Sequence, residues 1–310
     1  MGTWIIFGAG PIGRGIADLA VADGHEVSLV SRRGSGSSRP GVRAIAADAS
    51  DASRVADLVA GADVIVNALN PAYHRWATDW PPMADALLRG AESSGALLVT
   101  VSNLYGYGPT EGPLTEGLPL AATGTKGRIR AQMYDDALAA HTAGRIRTVE
   151  LRASDYIGPG AESHMGDRVV PRILAHKSVK VVGAVDQPHT WTYTVDVARL
   201  AVAVATDPSS WGRAWHVPSS APRTQQQVVA DLAAAADMPV PPVSAYPSWL
   251  MSALGLVNPT IREIKETEYQ FDRPFVMDSA DAEAHFGMAP TPWAEVMAAT
   301  VESYRRPVAA

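Results

Sequence analysis

The segment Phe7–Ala17, FGAGPIGRGIA, holds Gly8-x-Gly10-x-x-Gly13 and a fourth glycine at Gly15, directly after an apolar run. Glycines at that spacing suit a phosphate. Gly8 permits a tight turn, Gly10 lets the backbone approach a pyrophosphate, and Gly13 lets the next helix pack close to a sheet. Pro11 and Ile12 then open a helix whose first N–H groups face the anion. Dinucleotide sites of this kind usually carry Asp or Glu at the end of the second strand, where it holds ribose hydroxyls. That place is taken here by Ser31, followed by Arg32 and Arg33. Guanidinium pairs with phosphate in bidentate geometry, so these residues favour NADP(H) over NAD. The plainer reading is two solvated loop arginines. Asp48, after the third strand, can accept a bond from an adenine amino group or cap the next helix.

These residues need a scaffold, and the pattern of apolar runs supplies one. Strands are expected over Trp4–Ala9, Glu26–Ser31, Val42–Asp48, Asp63–Leu69, Leu97–Asn103 and Thr148–Ala153. Helical segments are expected over Ile12–Asp23, Ser53–Ala60, Pro81–Ser94 and Lys126–Ala143. Apolar β runs alternating with helices mean βαβ units and a doubly wound parallel sheet, an α/β fold. Such sheets place ligands at the carboxyl ends of their strands. Ala68, Leu69 and Asn70, at the end of the fourth strand, are therefore expected beside the cofactor. The alternation breaks after Ser154. Asp155–Gln187 reads as loop-rich, Val195–Thr206 as a helix, and Gln225–Ala236 and Ser248–Leu254 as short helices. The expected division is a dinucleotide-binding domain over 1–154 plus about 190–214. A smaller, interleaved substrate lobe takes about 155–189 and 215–310.

The glycine loop and Asp48 are joined by three further segments: VSNLYGYG (Val101–Gly108), RASDYIGPG (Arg152–Gly160) and TYTVDVARL (Thr192–Leu200). In this order they resemble the extended branch of the short-chain dehydrogenase/reductase superfamily, the NAD(P)-dependent epimerase/dehydratase family. The corresponding family patterns are SSxxVYG, RxxNVYGPG and FxxVDDVA. The resemblance covers nearly the whole chain. It implies a Rossmann-type domain, a small substrate lobe and a nicotinamide cofactor.

One family feature is missing. The catalytic pair of the family is Tyr-x-x-x-Lys on the helix after strand five, and no tyrosine here has a lysine four residues on. Alignment puts Lys126 where the tyrosine belongs and Arg130 where the lysine belongs. Ser102 or Asn103 takes the place of the usual Ser/Thr, and counting back from Tyr107-Gly108 favours Asn103. Lys126 is the first expectation for a proton donor, since an ammonium can also stabilise a developing alkoxide. It also stands where the cofactor would be held. The plainer reading is a surface lysine at a helix start. Tyr107 is the second expectation, with Tyr105 and Tyr156 as other phenols on adjacent loops; Tyr156 is also expected against the cofactor.

His74 and Trp76 follow strand four, His164 follows strand six, and Trp191 precedes the Val195-Asp196 motif. With Tyr105 they form the expected substrate set. Their aromatic character suits a small apolar or aromatic carbonyl or alcohol. The expected activity is an NADP(H)-dependent oxidoreductase on such a substrate. The alternatives are a sugar-nucleotide epimerase or dehydratase, with Arg262 and Arg273 as a basic clamp, and an NADP-sensing protein without turnover.

Composition excludes other classes. The chain has 310 residues, a net charge of −6 and no cysteine, so disulfides and thiolate chemistry are absent. Only four lysines occur, and no basic cluster suggests a nucleic-acid footprint. The histidines are scattered, so no metal is expected. No apolar run is long enough to span a membrane. The motif at residue 8 leaves no room for a cleavable leader, and a cytoplasmic location is expected. Besides a small-molecule substrate, the resemblance allows a homodimer as partner.

Overall fold

Thr3–Phe7 (TWIIF) forms β1, and its last four residues are buried. Of its neighbours in the sheet, Val64–Asn67 is buried throughout and Glu26–Ser31 over its four middle residues, as strands covered on both faces are. The computed structural model describes all residues except 35, 37, 38, 162, 248, 250–255, 257–261, 264 and 306–310. The chain divides into two compact units. The first is Met1–Gly108, Pro119–Ala153 and Val197–Val217; the second is Pro109–Leu118, Ser154–Asp196 and Pro218–Ala310. Pro109–Leu118 and 190–196, expected in the dinucleotide-binding domain, fall in the second unit, and 215–217, expected in the substrate lobe, in the first.

In chain order, β1 is followed by α1 (Pro11–Ala22), β2 (Glu26–Ser31), β3 (Val42–Ala46), α2 (Ala52–Val59) and β4 (Val64–Asn67). Next come α3 (Trp76–Ser94), β5 (Leu97–Asn103), α4 (Thr125–Thr142), β6 (Arg147–Ala153) and β7 (Asp155–Ile157). Then follow α5 (Val170–Leu174), β8 (Val179–Val181), β9 (Trp191–Tyr193), α6 (Thr194–Thr206), β10 (Ala214–His216), α7 (Gln225–Ala235) and β11 (Val243–Ala245). The last two helices are Ala280–Phe286 and Trp293–Arg305.

The first unit is a seven-stranded parallel sheet in the order β10-β6-β5-β4-β1-β2-β3. This is the Rossmann-like arrangement expected. The strand order reverses between β1 and β4, and doubly wound sheets bind ligands at that point. Strands β2 and β5 have the boundaries that the apolar runs gave. Helix α3 differs: it starts at Trp76 and carries Pro81 and Pro82 inside it. Proline marks helix starts because its missing N–H costs nothing there, which is why the sequence pointed to Pro81. The actual first turn holds Asp79, whose carboxylate suits the positive helix end. Both oxygens of Asp79 also accept from Arg75, at 2.8 Å each.

The second unit is built on two short parallel pairs, β7–β9 and β8–β11. Its core gathers Ile157, Met165, Val169, Ile173, Val179, Trp191, Val228 and Leu232. Thr224 and Gln227 close a capping box on α7, which fixes its start. The stretch read as loop-rich contains β7, a wide helical turn over His164–Val169, α5 and β8. These pieces are too short to show periodicity. The helix expected over Ser248–Leu254 lies, but for Trp249, outside the described residues. Among the described residues no helix is long and apolar enough to cross a membrane.

Candidate cofactor and proton-transfer site

The glycine loop sits between the ends of β1 and β4. Gly8 has φ 111°, and a Cβ there would collide with the carbonyl of Ala68. A Cβ on Gly13 would collide with the carbonyl of Gly8. Both glycines are therefore demanded by the packing of the chain itself. Gly10 differs, because a Cβ there would meet nothing within 4 Å. Gly10 is the N-cap of α1, Pro11 follows it, no side chain caps the helix, and no acidic residue lies in its first turn. The Cβ position of Gly10 thus opens onto clear space beside an uncapped positive helix end, a cradle that fits a pyrophosphate. Ala68 and Leu69 flank it half-buried and Asn70 is exposed.

At the end of β2, Ser31 is half-buried and Arg32 and Arg33 are exposed. Beyond them, Gly36 lies against the glycine loop, where a Cβ would collide with Ala9. Asp48 accepts from the backbone N–H of Ser50 at 2.9 Å and from its hydroxyl at 2.8 Å. These bonds hold the Asp48 carboxyl below the usual range, with a smaller contribution from Arg32. Of the two roles open for Asp48, the helix cap is excluded. That role belongs to Asp51, which accepts from the N–H groups of Ser53 and Arg54.

The carboxyl ends of β4 and β5 carry a cluster of phenols, indoles and cations. Lys126, in the first turn of α4, is 1% exposed, so it is not a surface lysine. Its ammonium lies 5.6 Å from the ring centre of Tyr73. The Tyr73 and Tyr105 hydroxyl oxygens are 2.7 Å apart. Asn103 Oδ1 accepts from the Tyr105 N–H at 3.1 Å and so shapes the turn after β5. Gly127 brings α4 against that turn, because a Cβ there would strike the Tyr105 carbonyl. Arg130 is buried with its guanidinium over Trp76, at 4.8 Å, and Trp80, at 4.3 Å. The aligned lysine position thus braces an aromatic wall. Ser102 is 2% exposed, on β5. Sequence reasoning missed Tyr73, although it singled out His74 and Trp76 beside it. The only signal available was its place after strand four.

Two expectations are corrected here. Tyr107 is 1% exposed and belongs to a buried network. Arg152 Nη1 donates to its hydroxyl at 2.7 Å, and His216 Nε2 lies 2.8 Å away. Arg152 Nε in turn donates to Glu150 at 2.7 Å. Burial pushes the Glu150 carboxyl up, and the neighbouring guanidinium opposes the shift. This geometry makes Tyr107 an anchor of the β5 turn. Trp76 is the second correction. It is 1% exposed, donates its indole N–H to the Pro71 carbonyl at 2.9 Å, and packs edge-on to Tyr73 and Trp80. It supports the site from beneath. His74 is exposed.

The remaining candidates lie in the second unit. Trp191 is a core residue, 2% exposed, with its indole N–H on the Arg223 carbonyl. This removes it from the expected substrate set. Tyr156 is half-buried on β7. His164 is half-buried, and burial lowers its imidazole to about 4, aided by Arg168 and opposed by Asp155. Asp196 of the fifth motif accepts from the N–H and hydroxyl of Thr291, at 2.8 and 2.7 Å. Arg262 and Arg273 are exposed. Among the described residues no group of three or more His, Asp or Glu is placed to hold a metal.

A parallel sheet with a glycine cradle at its switch point defines a dinucleotide-binding α/β protein. The profile of the NAD dependent epimerase/dehydratase family matches residues 4–217, and the chain belongs to that family, whose members are enzymes of the extended short-chain type. No curated protein sequence matches it significantly. Among solved structures it is similar to UDP-glucose 4-epimerase from Thermotoga maritima with UDP-glucose, at 17% identity, TM-score 0.81 and 98% of each chain covered. It is also similar to dTDP-glucose 4,6-dehydratase from Bacillus anthracis with NAD (16%, TM-score 0.79, 98% and 97% covered). A third is WbmH from Bordetella bronchiseptica with NAD+ (20%, TM-score 0.75, 98% and 99% covered).

Proposed function

We propose that this chain is an enzyme that binds a nicotinamide dinucleotide, NADP(H) by preference, and oxidises or reduces a hydroxyl or carbonyl carbon of a nucleotide-linked sugar. The single observation that carries the cofactor half is the contrast among the glycines. Gly8 and Gly13 are required by the fold, while Gly10 faces open space at an uncapped helix N-terminus. Such a cradle fits a pyrophosphate and serves no purpose in packing. When bound, the dinucleotide supplies or accepts the hydride. The phosphate preference rests on Arg32 and Arg33 in place of the acidic residue that ribose hydroxyls select. The related structures hold NAD, so the preference is a point on which this chain would differ from them.

The substrate class departs from the apolar carbonyl first expected. That expectation leaned on aromatic side chains, and two of them, Trp76 and Trp191, are core residues. The similar structures with UDP-glucose favour the sugar-nucleotide reading. A cofactor-sensing protein is the second reading, favoured by the missing Tyr-x-x-x-Lys pair. The test is incubation of the protein and NADP(H) or NAD(H) with a panel of UDP- and dTDP-linked hexoses. Products are followed by NMR and the dinucleotide by its absorbance. A changed sugar supports the enzyme. Tight dinucleotide binding with no change across the panel supports the sensor.

A further inference from the structure

We propose that the hydrogen-bonded phenols of Tyr73 and Tyr105, beside the Lys126 ammonium, are the proton-transfer device of this chain. The inference rests on the redox-enzyme reading above and names the residues that would serve it. Three separate elements converge: the turn before α3, the turn after β5 and the first turn of α4. All three lie at the carboxyl ends of β4 and β5, beside the strand end that flanks the glycine cradle. Two hydroxyls 2.7 Å apart share one hydrogen between their oxygens. Both rings are half-buried, so a substrate can reach them, whereas Lys126 is 1% exposed. The Lys126 ammonium lies over the Tyr73 ring, 5.6 Å from its centre, within cation–π range.

The cluster is held rigidly. Tyr73 packs edge-on to Trp76 with ring centres 5.3 Å apart, and Tyr105 lies 5.9 Å from Trp76. Arg130 clamps the two indoles beneath. The chemistry balances with two phenols. Reduction of a carbonyl to an alcohol takes one hydride, which a bound reduced dinucleotide would provide, and one proton. The phenol O–H breaks and its proton goes to the substrate oxygen as the carbon–oxygen double bond becomes single. The phenolate so formed takes the hydrogen of the other phenol, which recovers one from water. Oxidation of an alcohol runs the same path backwards.

Tyr73→Phe, Tyr105→Phe and the double variant test this. For the wild-type reaction found on the sugar panel, each single change is expected to lower kcat by roughly 10²-fold. The double variant should be little worse than the poorer single, because the two act as a unit. NADPH affinity, read by fluorescence titration, should stay within about twofold of wild type, since neither hydroxyl holds the phosphates. A readout without turnover is the infrared spectrum of ring-labelled tyrosine in the dinucleotide-free protein. A hydrogen-bonded phenol pair should be present in wild type and lost in each single variant. Full kcat in both single variants, or no paired phenol in the infrared, overturns the proposal and leaves the enzyme reading intact. A wild-type protein that binds no dinucleotide, or binds it and changes nothing on the panel, overturns the enzyme reading and this proposal with it.

Discussion

Arg152 donates to the Tyr107 hydroxyl at 2.7 Å, inside a network where both residues are no more than 2% exposed. The hydroxyl then has its own hydrogen for His216 Nε2, 2.8 Å away. A phenol engaged on both sides and sealed from solvent is poorly placed to give a proton to a substrate. It does fix the turn that carries Tyr105.

Tyr107→Phe should therefore act on stability. The change removes the acceptor of a charge-assisted bond and leaves a buried guanidinium with one partner fewer, worth about 1.5–3 kcal/mol. Thermal melting should show a lower Tm, with kcat reduced only modestly. An unchanged Tm with a hundredfold loss of kcat would return Tyr107 to the reaction.

Arg32→Ala should separate the two dinucleotides. Loss of a charge-assisted bond to a 2′-phosphate is worth about 1.5–3 kcal/mol, or roughly ten- to a hundredfold in NADPH affinity, while NADH should barely change. Equal losses for both would mean that Arg32 has a structural role only. Its neighbour Asp48 is held ionised chiefly by Ser50, so removing Arg32 should leave that turn formed.

Gly13→Ala should destabilise the fold. The added methyl would collide with the Gly8 carbonyl, and backbone cannot yield as a side chain can. The melting curve of the ligand-free protein reads this directly. A variant as stable as wild type would mean that α1 can draw away from the sheet.

His164 gives a pH dependence with a definite sign. Burial keeps its folded-state pKa near 4, against 6.5 ordinarily. Above pH 6.5 the imidazole is neutral in both folded and unfolded chains, and there is no penalty. Between pH 6.5 and 4 the unfolded chain takes up a proton that the fold refuses, so stability falls as pH falls, by up to about 3 kcal/mol. Urea unfolding across that range should fall less steeply for His164→Gln than for wild type. Parallel curves would show that His164 is protonated as readily in the fold as in the open chain.

Much of the first unit could be read from the chain itself. The glycine loop, β2 and β5 are local patterns, and their residues were found where the apolar runs put them. What failed depended on directions in space. Tyr107 matched a motif, but a motif does not say whether a side chain points to the core. Lys126 could be a surface residue or a buried one, and only the packing of α4 against the β5 turn decides it. Tyr73 acquires its meaning from Tyr105, thirty-two positions away. The start of α3 was misplaced because Pro81 signals a first turn more strongly than Trp76 does. Asp48 was expected as a possible cap of α2, and Asp51, three residues on, takes that role. The N–H groups of Ser53 and Arg54 donate to Asp51, and only the folded turn shows it.

Gly10 decides whether the start of α1 is a phosphate cradle. The measurement is a fluorescence titration of wild type and Gly10→Val with NADPH and NADH, beside melting curves of both proteins. Beyond its chain neighbours, a valine Cβ at Gly10 meets no protein atom within 4 Å, so the variant should melt as wild type does. Wild type should bind NADPH saturably, by roughly tenfold or more over NADH, and the variant should bind neither. Gly10→Val that binds NADPH as well as wild type, or a wild type that binds no dinucleotide at all, would contradict the account.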